Sequence, residues 1–240
     1  MNIILIGYGK MGHEIEQVAR ERGHSLPLII DLDNRDDLTE EKAGGADVAI
    51  EFTGPDGAFG NISRCFDLRL PVVSGSTGWL DHYDEVVRRC REEGQAFFYA
   101  SNFSLGVNIL FHLNERLASI MARYPEYDVR IDETHHIHKK DAPSGTAITL
   151  AEAILARHPR KERWLLGSEG DEKTLPITAH RRDEVPGIHT VRWESEMDLI
   201  ELTHSAKNRR GFALGAVLAA EFLAGKKGCF GMDDLLGLGE

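Results

Sequence analysis

The residues best able to do chemistry lie in one stretch, Glu133-Thr134-His135-His136-Ile137-His138-Lys139-Lys140-Asp141-Ala142-Pro143-Ser144-Gly145-Thr146. Three histidines, two lysines and two carboxylates lead into a turn that opens an apolar helix. Histidine titrates near neutrality, and lysine can donate a proton or neutralise a carboxylate. Backbone N–H groups of Gly145 and Thr146 at the helix start can grip a carboxylate, and Gly145 permits close approach. Acid–base work beside recognition of a small acid is the chemistry this combination suits. A zinc site fits less well: no cysteine is near, and adjacent histidines on a strand diverge, so no metal is expected. Nucleophilic hydrolysis fits less well too. Pro-Ser-Gly-Thr lacks the GxSxG elbow, and Ser144 reads as a helix N-cap.

The elements that must hold this stretch are a strand before it and a helix after it. Residues 127–137 alternate apolar and polar, putting Val129, Ile131, Glu133, His135 and Ile137 on one side. His135 and His136 then face opposite ways while the strand lasts. A helix over 146–156 follows, residues 157–172 read as a charged loop, and strands are predicted at 174–180, 188–194 and 198–206, paired largely as hairpins.

The N-terminal part has another rhythm. An apolar strand over 2–6 runs into Gly7-Tyr8-Gly9-Lys10-Met11-Gly12, then a helix, then a strand over 26–30 ending in Asp31. The first glycine allows a tight turn, the second lets backbone approach a pyrophosphate, and the third lets helix pack on strand. Asp31 lies roughly 19 residues past Gly12, close to the ~20 expected of an acid that binds ribose hydroxyls. This is a dinucleotide-binding pattern. Leu32 and Asp33 follow Asp31, and the acids would repel a 2′-phosphate, so NADH is favoured over NADPH. Further strand–helix alternation to about residue 100 indicates a doubly wound parallel Rossmann-type α/β sheet, with a second α+β domain entered near Gly106. Ligands bind beyond strand C-termini in such sheets. Thr53, Gly54, Gly75, Ser76, Thr77, Ala100, Ser101, Asn102 and Phe103 are therefore further cofactor candidates.

At 240 residues, 42% hydrophobic and 28% charged, the chain suits one large or two small globular domains. A net charge of −11 argues against a general nucleic-acid binder. Cys65, Cys90 and Cys229 form no CxxC pair and read as reduced thiols in a cytoplasmic protein. The N-terminus lacks a signal-peptide pattern, and no apolar run nears the ~20 residues of a membrane span.

The sequence closely resembles the dihydrodipicolinate reductases (4-hydroxy-tetrahydrodipicolinate reductases) of bacterial lysine and diaminopimelate biosynthesis. The residues that carry the resemblance are Gly7–Gly12, Gly75–Gly78, Asn102–Asn108 and above all His135–Ala147, and it extends through residues 211–236. It implies a dinucleotide domain of residues 1–103 plus 211–240, a substrate and oligomerisation domain of residues 104–210, and a homotetramer. It implies hydride transfer from a nicotinamide to an unsaturated dicarboxylate, with His135 as acid/base, Lys139 as proton donor, and His136, Gly145 and Thr146 as substrate contacts. Gly7–Gly12, Asp31, Gly75–Thr77 and Ala100–Phe103 match cofactor contacts. Leu32 departs from the pattern, since many relatives carry a basic residue there. Another two-domain amino-acid-pathway dehydrogenase would not be expected to share the His135–Thr146 motif. A non-catalytic NADH sensor would not be expected to keep His135 and Lys139.

Overall fold

The structure, a computed structural model, describes residues 1–239. In chain order the elements are β1 (Asn2–Ile6), α1 (Lys10–Glu21), β2 (Ser25–Ile30), α2 (Glu40–Ala43), β3 (Val48–Glu51), α3 (Pro55–Asp67), β4 (Val72–Ser74), α4 (Tyr83–Glu92) and β5 (Ala96–Tyr99). Then come α5 (Leu105–Met121), β6 (Asp128–His135), α6 (Gly145–Leu155), β7 (Arg163–Leu166), β8 (Thr174–Arg181), β9 (Gly187–Glu194) and β10 (Leu199–Ala206). The chain ends with α7 (Arg210–Leu223), β11 (Gly228–Phe230) and α8 (Met232–Leu236). Two compact units result: Met1–Leu105 with the segment from Arg209 onward, and Gly106–Asn208.

The first unit holds a six-stranded parallel sheet, ordered β11-β5-β4-β3-β1-β2. Its central strands are short and buried on both faces, which is why they read as continuous apolar runs. Ile3 and Leu5 pack on one side with Ala216, Val217 and Ala220 of α7; Ile4 and Ile6 pack on the other with Ile62 and Phe66 of α3. Pro27, which lacks an N–H, is tolerated because β2 is the edge strand, and the β1–β2 register shifts beside it. α7 and β11 return late in the chain to complete this unit. A Cβ on Gly215 of α7 would overlap the Phe103 carbonyl, so only glycine fits this approach. β11 is a strand that the sequence does not announce; three residues, all half-buried, give no periodicity.

The second unit holds a five-stranded sheet, ordered β10-β9-β6-β8-β7. Here two expectations fail. Residues 157–172 contain β7, an exposed edge strand whose charged surroundings mask it. The pairing is also mixed: β9 and β10 form a hairpin, but β6 inserts between β8 and β9 and runs parallel to β8, as β8 does to β7. Val129 and Ile131 of β6, Ile177 of β8 and Val191 and Trp193 of β9 form one core with Leu150, Ala151 and Ile154 of α6. The other face carries charge, with Arg130 paired to Glu194 at 2.7 Å and Arg192 to Glu201 at 2.5 Å. Among the described residues no helix is long and apolar enough to cross a membrane.

Candidate active site

β6 supplies the centre of the second unit's candidate site. Its strict alternation buries Val129, Ile131, Glu133 and His135. The strand stops at His135, so the expectation that Ile137 shares this side is wrong: Ile137 lies in a turn and is 60% exposed. The antiparallel register sets Glu133 beside His189 of β9, and the parallel register sets His135 beside Arg181 of β8.

Glu133 is fully buried, a position a carboxylate holds only when well hydrogen-bonded. It accepts from the Ser144 N–H at 3.1 Å and from the Ser144 hydroxyl in a short contact. Arg181 Nη1 approaches at 3.5 Å, and His135 Nδ1 and His189 Nε2 each lie 3.7 Å away. Ser144 is the N-cap of α6, its Oγ accepting from the Ala147 N–H at 3.3 Å and lying 3.1 Å from His189 Nε2. Gly145 and Thr146 follow, their N–H groups in the helical turn that has no intrahelical acceptor. A Cβ on Gly145 would meet no protein atom within 4 Å, leaving room for an anion.

The loop from His136 to Pro143 is tied down from β8. Arg181 donates to the Lys139 carbonyl at 3.2 Å and to the Asp141 carbonyl at 2.5 Å. The Lys139 ammonium pairs with Asp141 at 2.9 Å, and this partner holds the Asp141 carboxyl below its usual range. His136 is half-buried with its Nδ1 unpartnered, and its ring lies 6.0 Å from that of His138, which pairs with Glu184.

Burial lowers the His135 pKa below that of a free imidazole, partly opposed by the Glu133 charge. Burial pushes His189 down to about 3, so it is neutral at physiological pH. Among the described residues, Glu133, His135 and His189 are the one grouping whose ligand-type atoms all lie within 4.8 Å. Ser144 already occupies the Glu133 carboxylate and His189 Nε2 with hydrogen bonds.

The first unit contains a cavity of about 390 Å³ lined by Gly7, Tyr8, Gly9, Asp31, Leu32, Arg35, Thr53 and Gly54, among others. Gly7 has φ +97°, and a Cβ there would overlap the Phe52 carbonyl; at Gly12 it would overlap the Gly7 carbonyl. A Cβ on Gly9 would meet nothing, and Gly9 caps α1 without any side chain on the first-turn N–H groups. Lys10, Met11 and Gly12 form that first turn. This cradle fits the pyrophosphate of a dinucleotide. Asp31 caps a 3-10 turn, its N–H donating to Asn34 Oδ1 at 2.7 Å.

Gly75, Ser76 and Thr77 follow β4, and Ala100, Ser101, Asn102 and Phe103 follow β5; none of them lines this cavity. Phe103 is 2% exposed and packs against Phe52 and Phe98. Ser76 is buried and donates to Glu51 Oε1 at 2.8 Å. Glu51, at the end of β3, also accepts from the Thr53 N–H and hydroxyl and from the Ser74 hydroxyl.

The model of the dihydrodipicolinate reductase N-terminus matches residues 1–103, and that of the C-terminus matches residues 106–236. The chain belongs to the dihydrodipicolinate reductase family. Within it, the chain is 51% identical over 237 residues to the 4-hydroxy-tetrahydrodipicolinate reductase of Christiangramia forsetii, covering 98% of both chains. It is 34% identical over 230 residues to that of Neisseria meningitidis serogroup A, covering 93% of this chain and 84% of the relative. The solved dipicolinate-bound dihydrodipicolinate reductase of Paenisporosarcina shares the fold, with a TM-score of 0.80 at 22% identity over 98% of this chain and 99% of that one.

For a reductase of this family, the structure adds residues that sequence reasoning did not select. His189 carried a faint signal, a histidine in register with Val191 and Trp193 on an otherwise apolar strand face. Arg181 and Glu51 carried none, since their partners come from other strands.

Proposed function

We propose that the chain reduces 4-hydroxy-tetrahydrodipicolinate to tetrahydrodipicolinate with a nicotinamide cofactor, in lysine and diaminopimelate biosynthesis. The observation that carries this is the 51% identity, over nearly the full length of both chains, with a relative named for that reaction. The site chemistry supports it. A dicarboxylate needs cationic and N–H partners, and a reduction needs a hydride donor and a proton donor.

When bound, the nicotinamide supplies the hydride. The first unit would hold the cofactor through Gly7–Gly12 and Asp31, with the loops at Gly75–Thr77 and Ala100–Phe103 following two of its strand ends. In the second unit, His136, Gly145 and Thr146 would hold the substrate carboxylates, while His135 and Lys139 supply the proton. Asp141 would orient the Lys139 ammonium through their 2.9 Å ion pair. NADH is the favoured cofactor because Asp31 and Leu32 line the cavity where a 2′-phosphate would need a cation. Arg35 lines the same cavity, which makes NADPH the second cofactor to assay.

A homotetramer in the cytoplasm completes the proposal. The exposed Leu199 and Ile200 on the edge strand β10 of the second unit support the assembly. Three free cysteines are in keeping with a reducing compartment.

The test is cofactor oxidation by purified protein, with substrate generated from pyruvate and aspartate semialdehyde by the preceding synthase. Turnover is expected with NADH and, more weakly, with NADPH. No oxidation of either cofactor would refute the reading.

A further inference from the structure

The site just described contains a buried carboxylate to which the proposed reaction assigns no task. Its hydrogen bonds can be assigned proton by proton. The Ser144 hydroxyl has one proton and two lone pairs. The proton goes to Glu133 Oε2, the closest of its contacts. Both lone pairs must therefore accept, one from the Ala147 N–H and the other from His189 Nε2 at 3.1 Å. His189 is thus the Nε2–H tautomer, and that proton also faces Glu133.

The same carboxylate faces the other histidine. His135 turns Nδ1, not Nε2, toward Glu133 Oε2, at 3.7 Å, and that Nδ1 is buried without another partner. Its Nε2 lies toward Gly187, where a Cβ would come within 3.2 Å; glycine leaves that edge of the ring uncovered. The groups around His135 are Glu133 on its own strand, Arg181 on β8, His189 on β9, and Lys139 and Asp141 in the loop that follows. His204 on β10 stands beside His189, and burial lowers its pKa. Glu133 is the one carboxylate of this set that is buried against the ring.

We propose that Glu133 is the positioning carboxylate of the reaction. It holds His135 with Nδ1–H inward and Nε2 toward the site, and through Ser144 it fixes the helix start that receives a substrate carboxylate. Arg181 extends the same network to the Lys139 loop. When Nε2 gives its proton to the reduced ring, the imidazolium becomes the neutral Nδ1–H form. The 3.7 Å separation shortens to a charge-assisted hydrogen bond once the imidazole is protonated. This inference rests on the reductase reading for its catalytic meaning, but its geometry can be tested without turnover.

The first measurement is therefore on the wild-type protein: 15N NMR of the histidine rings, with His135 and His189 assigned from H135N and H189N. The expected neutral tautomers are Nδ1–H for His135 and Nε2–H for His189. The opposite tautomer at His135 overturns the proposal, even if the enzyme is active. The second measurement compares E133Q with S144A. E133Q keeps the shape but loses the charge. It should lower kcat on the order of tenfold or more, short of the 10²–10⁴ of a missing acid–base group, and should move the His135 limb of the kcat profile about one pH unit lower. S144A should raise KM for the dicarboxylate and leave that limb in place. An E133Q enzyme with wild-type kcat and an unmoved limb sinks the idea, and should E133Q fail to fold, the wild-type tautomers decide it. Wild-type protein that shows the expected tautomers but reduces nothing would instead refute the reductase reading.

Discussion

Each unit buries a glutamate near the C-terminal end of a central strand, Glu51 on β3 and Glu133 on β6, and the two do different work. Glu51 meets only hydroxyls and an N–H, from Thr53, Ser74 and Ser76. It can shape the loops that follow β3 and β4, and its partners here are not imidazoles or guanidinium groups. Glu133 meets the hydroxyl of Ser144 as well, yet has two imidazoles and a guanidinium within 3.7 Å. One carboxylate ties together the loops after β3 and β4; the other can also orient a titrating group. That contrast is what the proposed ligands would need, since a dinucleotide is gripped largely by backbone and a reacting acid needs side chains.

The largest expected effect separates the two regions by function. His135→Ala and Lys139→Ala should each lower kcat by roughly 10²–10⁴-fold, while NADH affinity, measured by fluorescence titration, changes less than about twofold. Near wild-type turnover in either variant would remove that residue from the chemistry.

A second test exchanges the roles. Glu51→Ala leaves the Ser74, Ser76 and Thr53 hydroxyls without their acceptor in a buried setting. It should cost about 3 kcal/mol in denaturant unfolding and raise KM for NADH, with the kcat pH profile unmoved. A moved profile would mean that Glu51 takes part in proton transfer after all.

How much of this was legible in the sequence also divides along the same line. Gly7, Gly9, Gly12 and Asp31 act through local backbone geometry, so their spacing alone announced a cradle. The alternation over residues 128–135 likewise put Glu133 and His135 on one face. What the sequence did not show is what lies across from them. β8 and β9 are consecutive in the chain, and hairpin pairing was the natural expectation. Insertion of β6 between them is decided by long-range packing, and it alone brings His189 and Arg181 to Glu133. β7 and β11 were missed for a simpler reason, because short edge strands have no buried face to create a period.

Acid should distinguish the units as well. His135, His158, His189 and His204 of the second unit all have pKa values lowered chiefly by burial. A lowered histidine pKa means the unfolded chain binds protons first, so stability is present above about pH 6.5 and is lost as pH falls toward the folded value. For His189, at about 3, the loss by pH 5 is about 2 kcal/mol. The first unit's lowered groups include the carboxyls Glu16, Asp37 and Glu221, which stay ionised until the carboxylate range is reached. Hydrogen exchange at pH 7 and pH 5 should therefore show protection falling in residues 106–208 before the Rossmann sheet. Equal loss in both would contradict the burial of these rings as the cause.

The smallest effect concerns the rim of the dinucleotide cavity. Leu32 is 70% exposed beside Asp31, and both line this cavity. Replacing Asp31 itself would confuse two roles, because it also caps the 3-10 turn. Leu32→Arg leaves that cap alone and adds one exposed cation. Solvent limits such a pair to about 1 kcal/mol, roughly a fivefold gain in kcat/KM for NADPH relative to NADH. The gain should shrink with added salt, because an exposed pair is screened. A larger gain that persists in salt would mean that Arg35 and the new arginine clamp the phosphate together. An unchanged ratio would place cofactor choice elsewhere than at this rim.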